Sequence, residues 1–393
     1  MDELSRLLAL PEGERVERGL VHTPREIRQQ PSTWRRTYEK FSDAAGGVRE
    51  LLARVGLPEG EGVRPSVYLV GAGTSDYVGR ALASLLRREW RCEVQAVPST
   101  DLLTEMDDYV IPGRPYLWVS FSRSGDSSEG VAVVEAALER HPAVSHLIVT
   151  CNGGGRLARE FGGRESVPLL VLDDAVNDRG LAMTSSFSNM LVAGQCLAHV
   201  RDLAPYGRVV EVLAARGEEF LGAAADAAAG LAAGRFTKFC FLGTGALRAV
   251  AVESALKVVE LTAGRVYTWS ESYLGVRHGP LSAVDSETLV VGFLSNDGRR
   301  RAYELDLLGE VKGKGLAGRI VAVWPGAGPR AGESGESLSL GLADGFKDLY
   351  RPPLDVIFGQ LLGLFSSLGE GLKPDTPSPK GAISRVVAGV QIH

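Results

Sequence analysis

The chain has 393 residues, a net charge of −5 and a pI near 5.8. This acidic balance argues against nucleic-acid binding, which needs a basic surface, and no apolar run approaches the roughly 20 residues of a membrane-spanning helix. The composition, 45% hydrophobic and 23% charged, is typical of a globular protein long enough for two domains.

The N-terminal residues, MDELSRLLALPEGERVERG, are rich in charged side chains and do not resemble a secretory signal peptide. The four cysteines form no CxxC pair, so we expect buried, reduced thiols in a cytoplasmic protein. The six histidines show neither HxxxH nor HxH spacing, which argues against a structural zinc site.

Residues 1–50 are polar and helical in character, with one turn at Gln30-Pro31. From Val67 onward, short apolar runs alternate with helical segments. Five of these runs predict strands: VYLVG (67–71), CEVQAV (92–97), YLWVSFS (116–122), SHLIVTCN (145–152) and VPLLVLDD (167–174). The alternation predicts βαβ crossovers and a parallel sheet that helices cover on both faces.

The second half of the chain repeats the first when the numbering is shifted by 172 residues. Three junctions align in this register: VYLVGAGTS (67–75) with FCFLGTGAL (239–247), WVSFSRSGD (118–126) with VVGFLSNDG (290–298), and LIVTCNGG (147–154) with RIVAVWPG (319–326). Three matches in one register indicate duplication of a whole domain. We predict a helical extension over 1–49, a first domain over 50–204, a second over 205–372 that opens with an Ala-rich helix, and a Pro-rich tail over 373–393.

The two copies differ at the residues that follow their strands. Thr74 and Ser75 become Ala246 and Leu247, and Ser122 and Ser124 become Leu294 and Asn296. Both copies would need helix caps about equally, so the loss of these hydroxyls from one copy suggests a ligand that only the first copy binds.

Phosphate is the ligand that these hydroxyls suit. A strand-to-helix turn directs backbone N–H groups and the positive end of a helix dipole at one point, and hydroxyl groups add donors there. We expect the turn over 71–75 and the loop over 122–127 to meet at the carboxyl edge of the sheet. The alternative is that Ser127 or Ser128 only caps a helix. Asp126 would repel a phosphate unless its carboxylate points away.

Neither glycine-rich turn fits a nucleotide motif well. GAGTSD lacks the third glycine of GxGxxG because Asp76 stands there, and no GK[ST] follows to make a P-loop.

The stretch ESALKVVELTAGRVYTWSESYLGVRHGPLSAV (253–284) contains a carboxylate and a histidine that could move protons on a sugar. Glu260 ends a predicted helix, and His278 lies in a Gly-Pro loop, where a histidine is more often simply on the surface. Glu253 and Lys257 share a helix face with Glu260, and for this pair we expect a solvated, salt-bridged face.

The segments GAGTS, SFSRSGDS, TCNGGG, LKVVE and VRHGPLSAV, in this order, resemble two tandem SIS (sugar isomerase) domains like those of the isomerase half of glucosamine-6-phosphate synthase. EIRQQPSTW (26–34) and LDDAVNDRGLAMTSSFSNM (172–190) are similar to a shorter subfamily, the AgaS-type sugar isomerases and galactosamine-6-phosphate deaminases. The resemblance runs from about residue 20 to the C-terminus. It implies an α/β fold of two domains, each a parallel sheet between helical layers in a flavodoxin-like arrangement.

The resemblance also implies roles for individual residues. Glu260 matches the carboxylate that moves a proton between C1 and C2, and His278 matches the histidine that opens the sugar ring. In the synthase this histidine reaches in from the neighbouring subunit, so a homodimer with a shared active site is implied. The residues implied in phosphosugar binding are Gly73, Thr74, Ser75, Ser122, Ser124, Ser127, Thr184 and Ser185.

Two further binding candidates depart from the family pattern. Arg123 stands where the family has glutamine, and a change at this position alters the expected sugar contacts. The tail lysine of the synthase corresponds to Arg385, whose permanent charge excludes an imine-forming amine. Lys380 is nearby but out of register.

The predicted reaction releases ammonia. About fifty residues precede the first domain and no cysteine precedes Cys92, so we expect no glutaminase activity. His278 would open the ring of a hexosamine 6-phosphate, with galactosamine 6-phosphate favoured. Glu260 would carry the C2 proton to C1, and hydrolysis of the C2 imine would give a ketose phosphate, tagatose 6-phosphate. This chemistry requires no metal and no redox cofactor.

Three other functions are compatible with parts of this sequence. Plain aldose–ketose isomerisation of a phosphosugar uses the same residues and stays open. A sugar-phosphate sensor is disfavoured because no helix-turn-helix precedes the domains and because Glu260 and His278 are both present. A degenerate scaffold is disfavoured by the intact serines of the first copy. The motifs do not distinguish sugar epimers, and they leave open any assembly larger than a dimer.

Overall fold

The computed structural model describes residues 1–57, 63–326, 328, 336–387 and 390–393. Contacts group the chain into two compact units that interleave along the sequence. The first-sheet unit comprises Ser32–Asp178, Ser185–Glu211 and Ile383–His393; the second-sheet unit comprises Met1–Pro31, Arg179–Thr184 and Val212–Ala382. The domain limits that we assigned from the sequence remain a prediction.

The N-terminal region is helical, as its composition indicates. It contains α1 (Glu3–Ala9), α2 (Glu12–Arg18), α3 (Thr23–Arg28) and α4 (Gln30–Arg54). The predicted turn at Gln30-Pro31 is the start of α4, where the fixed φ and missing N–H of proline suit the first helical turn.

The first-sheet unit contains all five strands that the apolar runs predict: β1 (Ser66–Gly71), β2 (Val94–Pro98), β3 (Tyr116–Ser122), β4 (Val144–Thr150) and β5 (Leu169–Val171). They pair in parallel in the order β2-β1-β3-β4-β5. The helices of this sheet are α5 (Thr74–Trp90), α6 (Ser99–Tyr109), α7 (Ser128–Arg140), α8 (Arg156–Phe161) and α9 (Ser185–Ala198). All six residues of β1 are buried, as expected for a strand with helices on both faces.

The second-sheet unit repeats this architecture. The predicted Ala-rich helix is α10 (Ala204–Ala233), and the elements that follow are β6 (Lys238–Leu242), α11 (Ala246–Leu261), β7 (Tyr267–Glu271), β8 (Thr288–Phe293), α12 (Gly298–Gly313), β9 (Arg319–Trp324), β10 (Glu336–Ser339) and α13 (Pro352–Gly369). The order β10-β9-β8-β6-β7, taken from its other end, is the order of the first sheet. The fold is therefore two tandem, parallel α/β domains, which confirms the predicted fold class and the duplication.

The shift of 172 residues does not hold throughout the repeat. It relates the starts of β1 and β6, of α5 and α11, and of β3 and β8. Helix α12 then begins two residues earlier, and β9 three residues later, than this shift requires of the counterparts of α7 and β4. Our alignment of LIVTCNGG with RIVAVWPG is thus displaced, because the connecting loops of the two copies differ in length.

The strand order reverses direction between β1 and β3, and again between β6 and β8. In open parallel sheets, ligands bind at the carboxyl ends of the strands beside such a switch point. The loops that follow β1 and β3, and those that follow β6 and β8, are therefore the positions at which the topology places a ligand.

The proline-rich tail is held against the N-terminal region within the second-sheet unit. The carboxylate of Asp375 accepts the backbone N–H groups of Val21 (2.7 Å), His22 (3.0 Å) and Thr23 (2.7 Å). It thereby satisfies donors at the start of α3 that no neighbouring side chain caps. In the described residues, no helix is long and apolar enough to cross a membrane.

Candidate functional site

The turn after β1 presents the uncapped start of a helix. Gly73 has φ +55°, a conformation that favours glycine, and no side chain caps α5. Thr74 and Ser75 are the first residues of α5, and both are buried. The turn therefore directs a helix N-terminus, which attracts anions, towards the switch point of the sheet.

The hydroxyl loop, residues 122–127, follows β3 on the other side of the switch point. Each of its three hydroxyl oxygens accepts a backbone N–H from the same region: Ser122 from Gly125 (3.0 Å), Ser124 from Asp126 (3.2 Å) and Ser127 from Gly130 (3.3 Å). None of these hydroxyls donates to another of the described residues, and a hydroxyl that accepts a bond keeps its hydrogen to donate. Helix capping by Ser127 is therefore compatible with phosphate binding.

Asp126 does not oppose an anion at this loop. Its carboxylate accepts the backbone N–H of Arg156 (2.9 Å), the first residue of α8. The carboxylate therefore points towards the N-terminus of α8. A phosphate beside this loop requires an Asp126 carboxylate that points away from it, and this orientation meets that requirement.

The glycine-rich loop over residues 152–155 packs against the hydroxyl loop and forms hydrogen bonds with it. Asn152 donates through Nδ2 to the carbonyl of Ser124 (2.8 Å), and the N–H of Leu157 donates to the carbonyl of Gly125 (2.9 Å). A Cβ at Gly155 would lie 2.3 Å from the Ser124 carbonyl oxygen, so only glycine permits this approach. The role of Asn152 is not apparent from the sequence pattern, although this loop lies at one of the three aligned junctions.

Thr184 and Ser185 are both fully buried. Ser185 begins α9, and its hydroxyl and N–H both donate to the carboxylate of Asp178. Thr184 belongs to the second-sheet unit, where its carbonyl accepts a hydrogen bond from Gln360 (3.2 Å). That Thr184 and Ser185 line the sugar remains a prediction. Sequence reasoning missed Asp178, although it lies in the segment singled out as typical of the subfamily.

The side chains of Glu253 and Lys257 are fully buried, and their charged atoms lie 3.3 Å apart. The expectation of a solvated salt-bridged face is therefore wrong, because this face of α11 packs against α13 and is closed to water. Burial lowers the pKa of Lys257, but the charges of Glu253 and Glu260 outweigh this effect and hold that pKa above its ordinary value.

Glu260 is the exposed end of this buried ion cluster. Lys257 Nζ donates to its carboxylate, and 22% of the Glu260 side chain is exposed to solvent. A carboxylate fixed by a buried ammonium group and open on one side has the geometry of a general base.

His278 lies in an irregular loop of the second-sheet unit. It follows a 3₁₀ turn over Gly275–Arg277, and its N–H donates to the carbonyl of Gly275 (2.9 Å). The residue is exposed, and its ring makes no hydrogen bond to any described residue. The ring is thus free to contact another molecule.

The second-copy loop, residues 294–297, follows β8 at the position equivalent to the hydroxyl loop. Carboxylates of the chain itself occupy its donors: Glu304 accepts the N–H of Ser295 (2.7 Å), and Asp348 accepts the N–H of Asn296 (2.8 Å). The Ser295 hydroxyl also donates to Asp348. Burial raises the pKa of Glu304.

Fully buried Arg351 stabilises this arrangement. It donates to the carbonyl of Leu294 (2.9 Å) and to the carboxylates of Asp348 (2.8 Å) and Asp355 (2.7 Å). The second copy therefore supplies internally the negative charge that such a loop attracts.

The two parallel sheets of matching strand order define a protein of two tandem α/β domains, and residues 63–200 match the SIS domain family. The chain is 40% identical to a Streptomyces coelicolor AgaS protein over 96% of this chain and 97% of that protein. It is 36% identical to the Escherichia coli D-galactosamine-6-phosphate deaminase AgaS, over 94% and 95% of the two chains. The chain belongs to the AgaS family of SIS-domain proteins.

A solved structure agrees with this assignment. The tagatose-6-phosphate ketose/aldose isomerase from Escherichia coli superposes with a TM-score of 0.85 and 34% identity, covering 94% of this chain and 96% of that one.

Proposed function

We propose that the protein is an amino-sugar phosphate deaminase and isomerase that converts galactosamine 6-phosphate and water to tagatose 6-phosphate and ammonia. The observation that carries this proposal is the near full-length similarity to the Escherichia coli deaminase, in a chain that has both the hydroxyl loop and the partly exposed carboxylate of Glu260. We place the enzyme in the cytoplasm, where its four free cysteines would stay reduced.

The phosphate is proposed to bind at the switch point of the first sheet. The hydroxyls of Ser122, Ser124 and Ser127 have their hydrogens available, and Thr74 and Ser75 begin the uncapped helix α5. Hydroxyl and backbone donors hold a dianion without an excess of cations, and they fix the distance from the phosphate to the reacting carbons.

Proton transfer is assigned to Glu260 and His278. The exposed imidazole of His278 would move the proton that opens the pyranose ring. Glu260 would then take the proton from C2, giving an enolamine, and return it to C1 to leave an imine at C2. Lys257, held between two carboxylates in the interior of the unit, fixes the direction of the Glu260 carboxylate.

Hydrolysis completes the reaction. Water adds to C2 of the imine, the carbon–nitrogen bond breaks, and ammonia leaves a ketone at C2. One water is consumed and one ammonia released, with no change in oxidation state overall. We further propose a homodimer in which His278 acts on the substrate of the partner subunit; its exposed ring, which makes no hydrogen bond to a described residue, supports this arrangement.

The second candidate function is isomerisation of a phosphosugar without loss of nitrogen. The similarity to the Escherichia coli tagatose-6-phosphate ketose/aldose isomerase favours it, and the same residues serve both reactions. Purified protein should release ammonia stoichiometrically with ketose phosphate from galactosamine 6-phosphate, and more slowly from glucosamine 6-phosphate. If neither hexosamine phosphate yields ammonia while tagatose 6-phosphate is isomerised, the isomerase function replaces the deaminase.

A further inference from the structure

Arg123, in the middle of the hydroxyl loop, contacts a segment near the C-terminus. Its side chain is nearly buried, although it lies between Ser122 and Ser124, and its Nη2 donates to the main-chain carbonyl of Arg385. The two residues are 262 positions apart. A guanidinium group whose fork contacts main-chain oxygen restrains the chain that carries that oxygen.

The side chain of Arg385 is anchored in turn. Its Nε donates to the carbonyl of Asp178 (2.6 Å), and its Nη2 donates to the side-chain oxygen of Asn177 (2.7 Å). The oxygens that accept these bonds, on residues 177 and 178, are all neutral. The side chain therefore serves as an attachment point for the tail segment, residues 383–387.

The attachment point is itself rigid. The buried carboxylate of Asp178 accepts the N–H groups of Ser185 (3.2 Å) and Ser186 (2.8 Å), and also their hydroxyls. Four donors at the start of α9 thus fix Asp178, and its carbonyl fixes Arg385. Both arginines act on the nearby Cys151 thiol: burial and Asp178 raise its pKa, and the two guanidinium groups oppose that effect.

We propose that Arg123 is a positioning residue that ties the tail segment to the hydroxyl loop, so that loop and tail form one wall of the phosphosugar site. This inference rests on the proposed function for its effect on substrate, but the tie itself is a property of the chain. The bond that Arg123 makes to the main-chain carbonyl of Arg385 links the hydroxyl loop to the tail segment.

The tie is tested first without substrate. Carboxypeptidase Y removes residues from the C-terminus, and mass spectrometry shows how far digestion proceeds. Removal past residue 385 should be about tenfold faster in Arg123→Gln and in Arg385→Ala than in the unmodified protein, since each loses a charge-assisted hydrogen bond. The exposed-surface control Arg140→Gln should be digested like the unmodified protein. An unchanged digestion rate in Arg123→Gln overturns the proposal.

The second test is a double-mutant cycle in the full chain. Arg123→Gln should raise KM about tenfold with kcat changed less than about threefold, and adding Arg385→Ala should raise KM no further, because both act through the tail. Arg123→Lys should recover only part of the effect, since an ammonium group lacks the fork, and it replaces the Gln variant should that variant not fold. Effects on KM that multiply mean that Arg123 contacts the sugar itself, and the proposal fails.

These experiments distinguish failure of the proposed function from failure of the proposed role of Arg123. If the unmodified protein turns over no phosphosugar, the proposed function is wrong, while the digestion experiment still decides whether Arg123 holds the tail.

Discussion

The hydroxyl loop and the second-copy loop follow equivalent strands of two sheets that share one topology. The two loops differ in whether carboxylates of the chain accept their hydrogen-bond donors. In the second copy, Glu304 and Asp348 occupy the backbone donors of Ser295 and Asn296. In the first copy, loop hydroxyls accept local N–H groups and keep their own hydrogens.

The helix N-termini that follow β1 and β6 have similar geometry. The difference between the two copies therefore lies in the loops that follow β3 and β8. Gly73 and Gly245 adopt nearly the same conformation (φ +55° and +61°), and no side chain caps either α5 or α11. The scaffold therefore attracts an anion in both copies. In the second-copy loop, buried carboxylates of the chain accept the backbone donors, whereas the hydroxyl loop keeps the donors that we propose bind a phosphate.

The largest effect is expected at Glu260, the proposed base for proton transfer. Glu260→Gln should lower kcat about a thousandfold, equivalent to about 4 kcal/mol, because an amide cannot carry the C2 proton. Phosphosugar affinity, measured by calorimetry, should change less than about threefold. The surface variant Glu219→Gln serves as control. Turnover that survives in Glu260→Gln would show that another group is the base.

The next largest effect is expected at Asp348, whose buried carboxylate accepts hydrogen bonds from the second-copy loop. Asp348→Ala should lower the free energy of unfolding of its unit by about 3 to 5 kcal/mol, because Arg351 loses a buried partner and two loop donors lose their acceptor. Urea denaturation followed by circular dichroism measures the change, with exposed Asp306→Ala as the matched control. If Asp348→Ala unfolds at the same urea midpoint as the control, the Asp348 carboxylate does not take the place of a bound anion in the second-copy loop.

The smallest effect separates binding from stability at one serine of each loop. Ser124→Ala should weaken phosphosugar binding about tenfold while costing less than about 1 kcal/mol of stability. Ser295→Ala, in the second-copy loop, should show the reverse, since its hydroxyl bonds only to the chain. If Ser124→Ala is strongly destabilised and binds normally, the hydroxyl loop is a cap and not a phosphate site.

Local sequence pattern predicts much of this fold. Alternating apolar and helical runs mark all five strands of the first sheet, and the shift of 172 residues marks their counterparts β6 and β8. Patterns fail where the outcome depends on packing. Glu253 and Lys257 have the spacing of a surface ion pair, but their face of α11 is covered by α13, which lies about a hundred residues away in the sequence.

The sequence by itself determined the duplication, the location of the hydroxyls at one strand-to-helix junction, and the candidate base and histidine, because periodicity and small polar residues act within a few positions of the chain. Only the tertiary structure decided which donors are already occupied. The carboxylate of Asp348 reaches Ser295 across 53 residues, and Arg123 reaches the tail across 262. Such contacts depend on the order of the strands and the path of the chain, which bring distant residues together at the carboxyl edge of a sheet.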